Sequence, residues 1–214
     1  MSADTELSDL ELAALVSSRI CHDIISPVGA IANGLEVMAE EADQSMQEHA
    51  MDLIRKSAQQ ASAKLQFARL AFGAAGSSGA EIDLMEAEKV ARAVAESDKH
   101  SVEWSGPAAR LAKDKVKLLL NMVTMALNAL PRGGTIKISI SEDNSAPSFE
   151  IRCHGDSARV PEVVEKMLSG ANGAALDAHS IQPYFALLIA REAEMSLKAQ
   201  MDGDEVILSA ISKD

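Results

Sequence analysis

The sequence predicts an α+β fold in two parts, an N-terminal helical hairpin followed by an α/β sandwich. Two long runs of helical periodicity stand on either side of a short polar turn, a Gly/Ser break follows, and beyond it period-two segments alternate with helical ones. The boundaries this gives are 1–74 for the hairpin, 75–81 for a linker and 82–214 for the sandwich.

The first helix is expected from about Leu7 to Glu40, because Ile20, Ile24, Val28, Ile31, Leu35 and Met38 recur at spacings of four and three on one face. Ser8 followed by Glu11 fits a capping box at its start, and "EEADQ" at 40–44 is polar enough to turn the chain. Met46, Ala50, Leu53, Ser57, Ala61, Leu65, Ala68 and Phe72 form the expected inner stripe of a second helix, which ends at "GAAGSSGAE", residues 73–81. Two such helices joined by a short turn make an antiparallel hairpin about 45 Å long at 1.5 Å per residue. A lone hairpin cannot bury both stripes, so a homodimer forming a four-helix bundle is expected.

Beyond the break, "EIDL" and "SVEW" read as strands on either side of a helix at 85–97. "KDKVKLLLNMVTMALNAL" reads as an apolar helix ending at Pro131. Ile136, Ile138 and Ile140, then Phe149, Ile151 and Cys153, alternate as two strands. Helices near 161–168 and 181–193 precede a hairpin with Gly203 in its turn. The order βαβαββααββ describes one sheet covered by helices on one face.

Composition excludes several function classes. A net charge of -12 disfavours nucleic-acid binding, which needs a basic footprint, and 3% aromatic content leaves little for a base-stacking surface. No apolar run approaches the ~18 residues of a membrane span. The acidic start "MSADTELSDLE" lacks the features of a signal peptide, so a cytoplasmic protein that binds no membrane is expected. The two cysteines, Cys21 and Cys153, give no disulfide framework. Each has a histidine neighbour, but adjacent residues diverge on a helix or strand and cannot readily chelate zinc, so no metal site is expected.

The stretch "SSRICHDIISPVGAIANG", residues 17–34, breaks the rules of a stable helix. Interior Pro27 costs about 3 kcal/mol relative to Ala, and Gly29 and Gly34 about 1 kcal/mol each. Such local concessions concentrate where a site is built. His22 is about 200° from both Ile20 and Ile24, hence on the polar face, with Ser18, Ser26, Gly29 and Asn33 as its small or polar neighbours. Pro27 has no N–H, so the carbonyl of Asp23 loses its donor within the helix.

"HDIISP" resembles the phospho-acceptor box of two-component histidine kinases, and its place on a long hairpin ahead of an α/β domain resembles their dimerisation and ATP-binding halves. The resemblance implies a histidine-kinase-like (GHKL/Bergerat) sandwich with His22 as phospho-acceptor. The ATP boxes depart from the pattern. Met125 stands where "NAxK" has its Mg-binding asparagine, Cys153 and His154 stand near the adenine-binding aspartate position with only Gly155 kept, and no glycine remains between Asp177 and Pro183. A kinase-like chain that keeps its histidine and loses its ATP site is similar to the ChpT family of histidine phosphotransferases. That likeness implies transfer without ATP from the receiver aspartate of a CckA-like hybrid kinase to CtrA-like and CpdR-like response regulators. It implies no cofactor of its own, with Mg2+ arriving on the bound receiver, whose carboxylates hold it.

In that reading Asp23 holds the proton of the second imidazole nitrogen or acts as a base. The antiparallel hairpin sets His22 level with about residue 63, so Ser26, Ala30, Asn33, Leu53, Lys56 and Gln60, with Ser18 and Gly29, are candidates for receiver docking. Arg159, in the loop replacing the nucleotide lid, is a further candidate. A divergent kinase that still binds ATP and a non-catalytic receiver-binding scaffold are the competing readings.

Overall fold

The computed structural model describes residues 7–40, 43–73, 80–141, 143, 146–169, 176–178 and 180–213. Most of the expected linker, 75–79, and the centre of the hairpin turn, 41–42, lie outside them. Helix α1, Asp9–Glu40, begins with the capping box formed: Ser8 N donates to Glu11 Oε2 at 2.9 Å and Glu11 N to Ser8 Oγ at 3.3 Å. Helix α2, Gln44–Ala71, starts at Asp43, whose side chain accepts from Ser45 N. Among the described residues no helix is long and apolar enough to cross a membrane.

The seam between α1 and α2 differs from the expected stripes. It is built on buried Pro27 and Gly34 with half-buried Ile20, Ile24, Ile31 and Met38, against Ala50, Ile54, Ser57, Ala61 and Lys64 of α2. Val28, Leu35, Met46, Leu53 and Leu65, expected inside, are 45–56% exposed on the single chain. The reason is size. A Cβ on Gly34 would lie 2.6 Å from Ile54 Cγ1 and 3.3 Å from the Ala50 carbonyl, so the helices meet too closely there for larger side chains. The exposed residues fall into two groups. Cys21, Val28 and Leu35 on α1, and Ala58 and Leu65 on α2 with half-buried Met51, run at heptad spacing along one flank. Leu53 and Met46 lie on the other flank, where Lys64 meets α1.

The second part is an α/β sandwich. Strand β1, Glu81–Asp83, leads into α3, Leu84–Ala95, capped by the Asp83 side chain. Then come β2 (His100–Ser105), β3 (Arg110–Ala112) and α4 (Lys113–Ala129). These are followed by β4 (Gly134–Ile140), β5 (Ser148–His154), α5 (Glu162–Leu168), α6 (Ile181–Glu192), β6 (Met195–Asp202) and β7 (Glu205–Ser212). Strand β3, three residues after Pro107, is not among the elements the sequence pattern predicts, and it adds a second sheet: β1 and β3 pair antiparallel, Ile82 opposite Leu111. The main sheet has the order β2-β4-β5-β7-β6, with β2 and β4 parallel and the rest antiparallel.

Alternation in that sheet assigns its faces. Val102, Ile136, Ile138, Phe149, Ile151, Cys153, Val206 and Leu208 point to the helices, whereas Glu103, Lys137 and Arg152 stand on the open face. Gly203, at φ +62°, occupies the first turn position of the β6–β7 hairpin, as a II′ turn requires.

A buried polar joint ties hairpin to sandwich. Asn121 of α4, fully buried, donates from Nδ2 to the carbonyl of Ala71 at the end of α2 (3.0 Å) and to Lys117 O (2.9 Å). Gln182 of α6 donates back to Asn121 O at 2.8 Å. Phe72 packs on Phe185 with ring centroids 5.5 Å apart, and Arg69 pairs with Glu86 at 3.1 Å.

The two glycines of α1 should separate in a stability measurement. Gly34→Ala is expected to lower the unfolding free energy by about 1–2 kcal/mol, overpacking outweighing a gain in helix propensity. Gly29, whose Cβ would meet nothing within 4 Å, should gain up to about 1 kcal/mol on Gly29→Ala. Urea unfolding at one protein concentration reads both, and a stabilising Gly34→Ala would show that the helices are not in close contact there.

Candidate functional site

His22 projects from the α1 face turned away from the seam, its side chain 58% exposed. Ser18, Ser26, Gly29 and Asn33 are exposed on the same face, as their spacing predicts. Ala30 is half-buried at the edge of the seam. Lys56, Gln60 and Leu53 are exposed on the flank of α2 bordering that face. Arg159 is exposed in the β5–α5 loop, its backbone N–H bonded to Ala129 O (3.1 Å) at the end of α4. It is therefore positioned by the sandwich rather than by the hairpin.

Asp23 is half-buried beside the histidine. Its Oδ1 lies 3.7 Å from His22 Nδ1, although neighbouring positions on a helix diverge, and its Oδ2 accepts from Arg19 Nε at 2.9 Å. The Asp23 carbonyl, left without a helical donor by Pro27, accepts from Lys64 Nζ across the seam at 2.8 Å. Arg19 and Lys64 were not singled out from sequence. The available signals were the i, i+4 spacing of Arg19 and Asp23, and the hairpin register, which sets residue 63 level with His22.

These groups line one side of a cleft of about 210 Å³ between hairpin and sandwich, closed by Thr124, Leu127 and Asn128 of α4. A second cleft, about 640 Å³, lies at the foot of the hairpin between Val16, Leu65, Phe72 and Phe185.

Among the described residues, Met125, Cys153 and Gly155, which stand in the segments set against the kinase nucleotide boxes, are engaged in packing. Met125 is 1% exposed in the core, and Cys153 is buried beneath the sheet while His154 points away from it. Gly155 is accounted for by packing, because a Cβ there would run into the Gly133 carbonyl where the start of β4 crosses the end of β5. The first turn of α6 is buried at Ile181 and Gln182. Neither cleft is lined by Met125, Cys153 or Gly155.

Residues 84–205 match the family described as "Histidine phosphotransferase C-terminal domain". The protein phosphotransferase ChpT of Brucella abortus (strain 2308) is 46% identical over 211 residues, covering 98% of this chain and 100% of that one. A solved structure described as "1.7 Angstrom Structure of a Bacterial Phosphotransferase" superposes with a TM-score of 0.89 at 45% identity, over 98% of this chain and 100% of that one.

The two cysteines should differ sharply in reactivity. Burial first, then the nearby Glu205 charge, pushes the Cys153 thiol up to about 12, whereas Cys21 is exposed. One equivalent should react with a thiol reagent at pH 8 and the second only on unfolding. Because the folded chain holds this proton more tightly, Cys153's contribution to stability is complete below the unfolded thiol's value of about 8.5 and declines as pH rises beyond it. Two fast equivalents in the native protein would contradict the burial.

Proposed function

The chain belongs to the histidine phosphotransferase family, and on that premise we propose that it carries phosphoryl groups on His22 between receiver aspartates without using ATP. It is a histidine phosphotransferase of a two-component phosphorelay. The observation that carries the assignment of His22 is its placement, an exposed imidazole on a face of small and polar residues with a carboxylate 3.7 Å from Nδ1. Nδ1 faces Asp23, so Nε2 is the nitrogen for attack. A receiver approaching this face delivers its phosphoryl group in line, through a loose transition state where positioning and charge neutralisation dominate. The Mg2+ of the reaction belongs to the receiver's carboxylates. The donor in this reading is a CckA-like hybrid kinase, and the acceptors are CtrA-like and CpdR-like regulators.

Independence from ATP is supported by the packed core at Met125 and Cys153, which offers no oxygen ligand for a nucleotide-bound metal. The docking surface is Ser18, Ser26, Gly29, Ala30 and Asn33 of α1 with Leu53, Lys56 and Gln60 of α2, and Arg159 is a contact from the sandwich. Homodimerisation is supported by the heptad flank of Cys21, Val28, Leu35, Ala58 and Leu65, which a second copy would cover as a four-helix bundle. In this arrangement the two flanks have different partners, and Leu53 belongs to the receiver's.

A receiver domain charged with acetyl phosphate should transfer acid-labile, base-stable label to this chain, and His22→Ala should abolish it with little change in the unfolding midpoint. Label persisting on His22→Ala would place the acceptor elsewhere. Titration calorimetry with millimolar Mg-ATP should show no binding, and a Mg-dependent isotherm would favour a divergent kinase instead.

The two flanks can be separated by charge. Val28→Asp should convert the dimer to monomer in sedimentation, because it places an unpaired charge in the proposed bundle. Leu53→Asp should leave the dimer intact and weaken receiver binding tenfold or more. The reverse pattern would exchange the two interfaces. Gly29→Gln should preserve folding and dimerisation yet slow transfer, and a wild-type rate would move the docking surface off this face.

A further inference from the structure

We propose that Arg19 and Lys64 are positioning residues for His22, gripping Asp23 by its carboxylate and its carbonyl so that the imidazole keeps its proton on Nδ1 and presents Nε2 outward. This rests on His22 being the phospho-acceptor. The Arg19 side chain is only 15% exposed, and its Nε–H takes Oδ2 of Asp23 at 2.9 Å, which leaves Oδ1 as the oxygen facing His22 Nδ1 at 3.7 Å. Lys64 reaches from the other helix to the carbonyl that Pro27 leaves open, at 2.8 Å, and so fixes the backbone one residue beyond the histidine. Each contact constrains a different end of the same residue. An aspartate anchored by its side chain alone could still shift with the helix, and one anchored by its carbonyl alone could turn its carboxylate away.

The chemistry needs such an anchor. The Nε2 lone pair forms the N–P bond as the P–O bond to the receiver's aspartate breaks, and that aspartate departs as a carboxylate. Nδ1 keeps its proton throughout, so positive charge grows on the ring beside Asp23 Oδ1. The 3.7 Å separation in the resting protein is electrostatic contact, and a small rotation of the ring closes it to a hydrogen bond. Asp23 then orients the ring and stabilises the charged product, and Arg19 and Lys64 act through it.

The first test needs no variant. In the 15N-histidine-labelled full chain, with the His22 signal identified by its loss in His22→Ala, long-range 1H–15N correlation should show neutral His22 mainly as the Nδ1–H tautomer. A ring with no such neighbour prefers Nε2–H, and that form in the wild-type protein overturns the proposal. Arg19→Gln should shift the tautomer toward Nε2–H and slow transfer from an acetyl-phosphate-charged receiver tenfold or more, with receiver Kd unchanged within twofold. Lys64→Met should slow transfer to a similar degree at unchanged Kd. Arg19→Lys, which returns a cation to the same i, i+4 partner, should recover most of the rate. Wild-type rates in both Arg19→Gln and Lys64→Met overturn the proposal while leaving the acceptor assignment standing, provided His22→Ala is inert. Label on His22→Ala would instead remove the acceptor assignment itself.

Discussion

A proline inside a helix leaves the carbonyl four residues earlier without its donor, and the neighbourhood of His22 is organised around how that carbonyl is satisfied. An unpaired backbone acceptor shielded from water costs about 1–3 kcal/mol, enough to matter against a total stability of about 5–15 kcal/mol. Here the donor comes from α2, as Lys64 Nζ bound to Asp23 O. The bond spans the hairpin, so it registers the two helices as well as satisfying the carbonyl. Pro27 itself is buried in the seam one turn away, and Gly34 two turns further on lets α1 and α2 approach closely. The proline that weakens α1 as a helix thus fixes α1 against its partner, and the fixed point lies beside the histidine.

The same logic explains why the sandwich matters to a site that lies on the hairpin. Asn121 and Gln182 are fully buried and bonded to each other, and Asn121 reaches the last carbonyl of α2. A buried polar link of this kind is costly to break because each separated partner is left unsatisfied. An ATP-using kinase has to bring its nucleotide domain to the histidine and withdraw it again. A carrier loaded by another protein, as proposed for this chain, has no such motion to make, and a bonded joint suits it. The cleft lined by Asp23 on one wall and Asn128 on the other is what that fixed arrangement produces.

The fold was largely legible in the sequence because its elements are long and strongly periodic, and the capping box at Ser8 and Glu11 and the turn at Gly203 formed where local chemistry asked for them. What was missed has a common cause. Strand β3 is three residues long and is stabilised by pairing with β1, a partner 29 positions away, which no local pattern announces. Val28, Leu35 and Leu65 are apolar at helical spacing, and a one-dimensional pattern does not say which neighbour covers them. Periodicity put them in the intramolecular seam, whereas the close approach of the two helices where Gly34 meets Ile54 decides otherwise. For the site, the sequence indicated His22, Asp23 and the open carbonyl but not the donor that fills it. A lysine 41 residues away becomes visible only when the register of the hairpin is known.

Charge sets the last constraint. The chain carries -12 overall, and a phosphoryl group is anionic, so the long-range field of this protein opposes the transfer it is proposed to perform. At physiological ionic strength that field is screened beyond about 8 Å, so only the local arrangement decides what an incoming phosphoryl group meets. Within that range the Asp23 carboxylate lies 3.7 Å from Nδ1 of the imidazole, and its Oδ2 is taken by Arg19 while its carbonyl is taken by Lys64. The residue whose carboxylate faces the ring is thereby held by two cations, Arg19 on its side chain and Lys64 on its backbone. A site built this way can hold positive charge on the imidazole without presenting a bare negative charge to the phosphoryl group, which is the balance that a histidine carrier in an acidic protein requires.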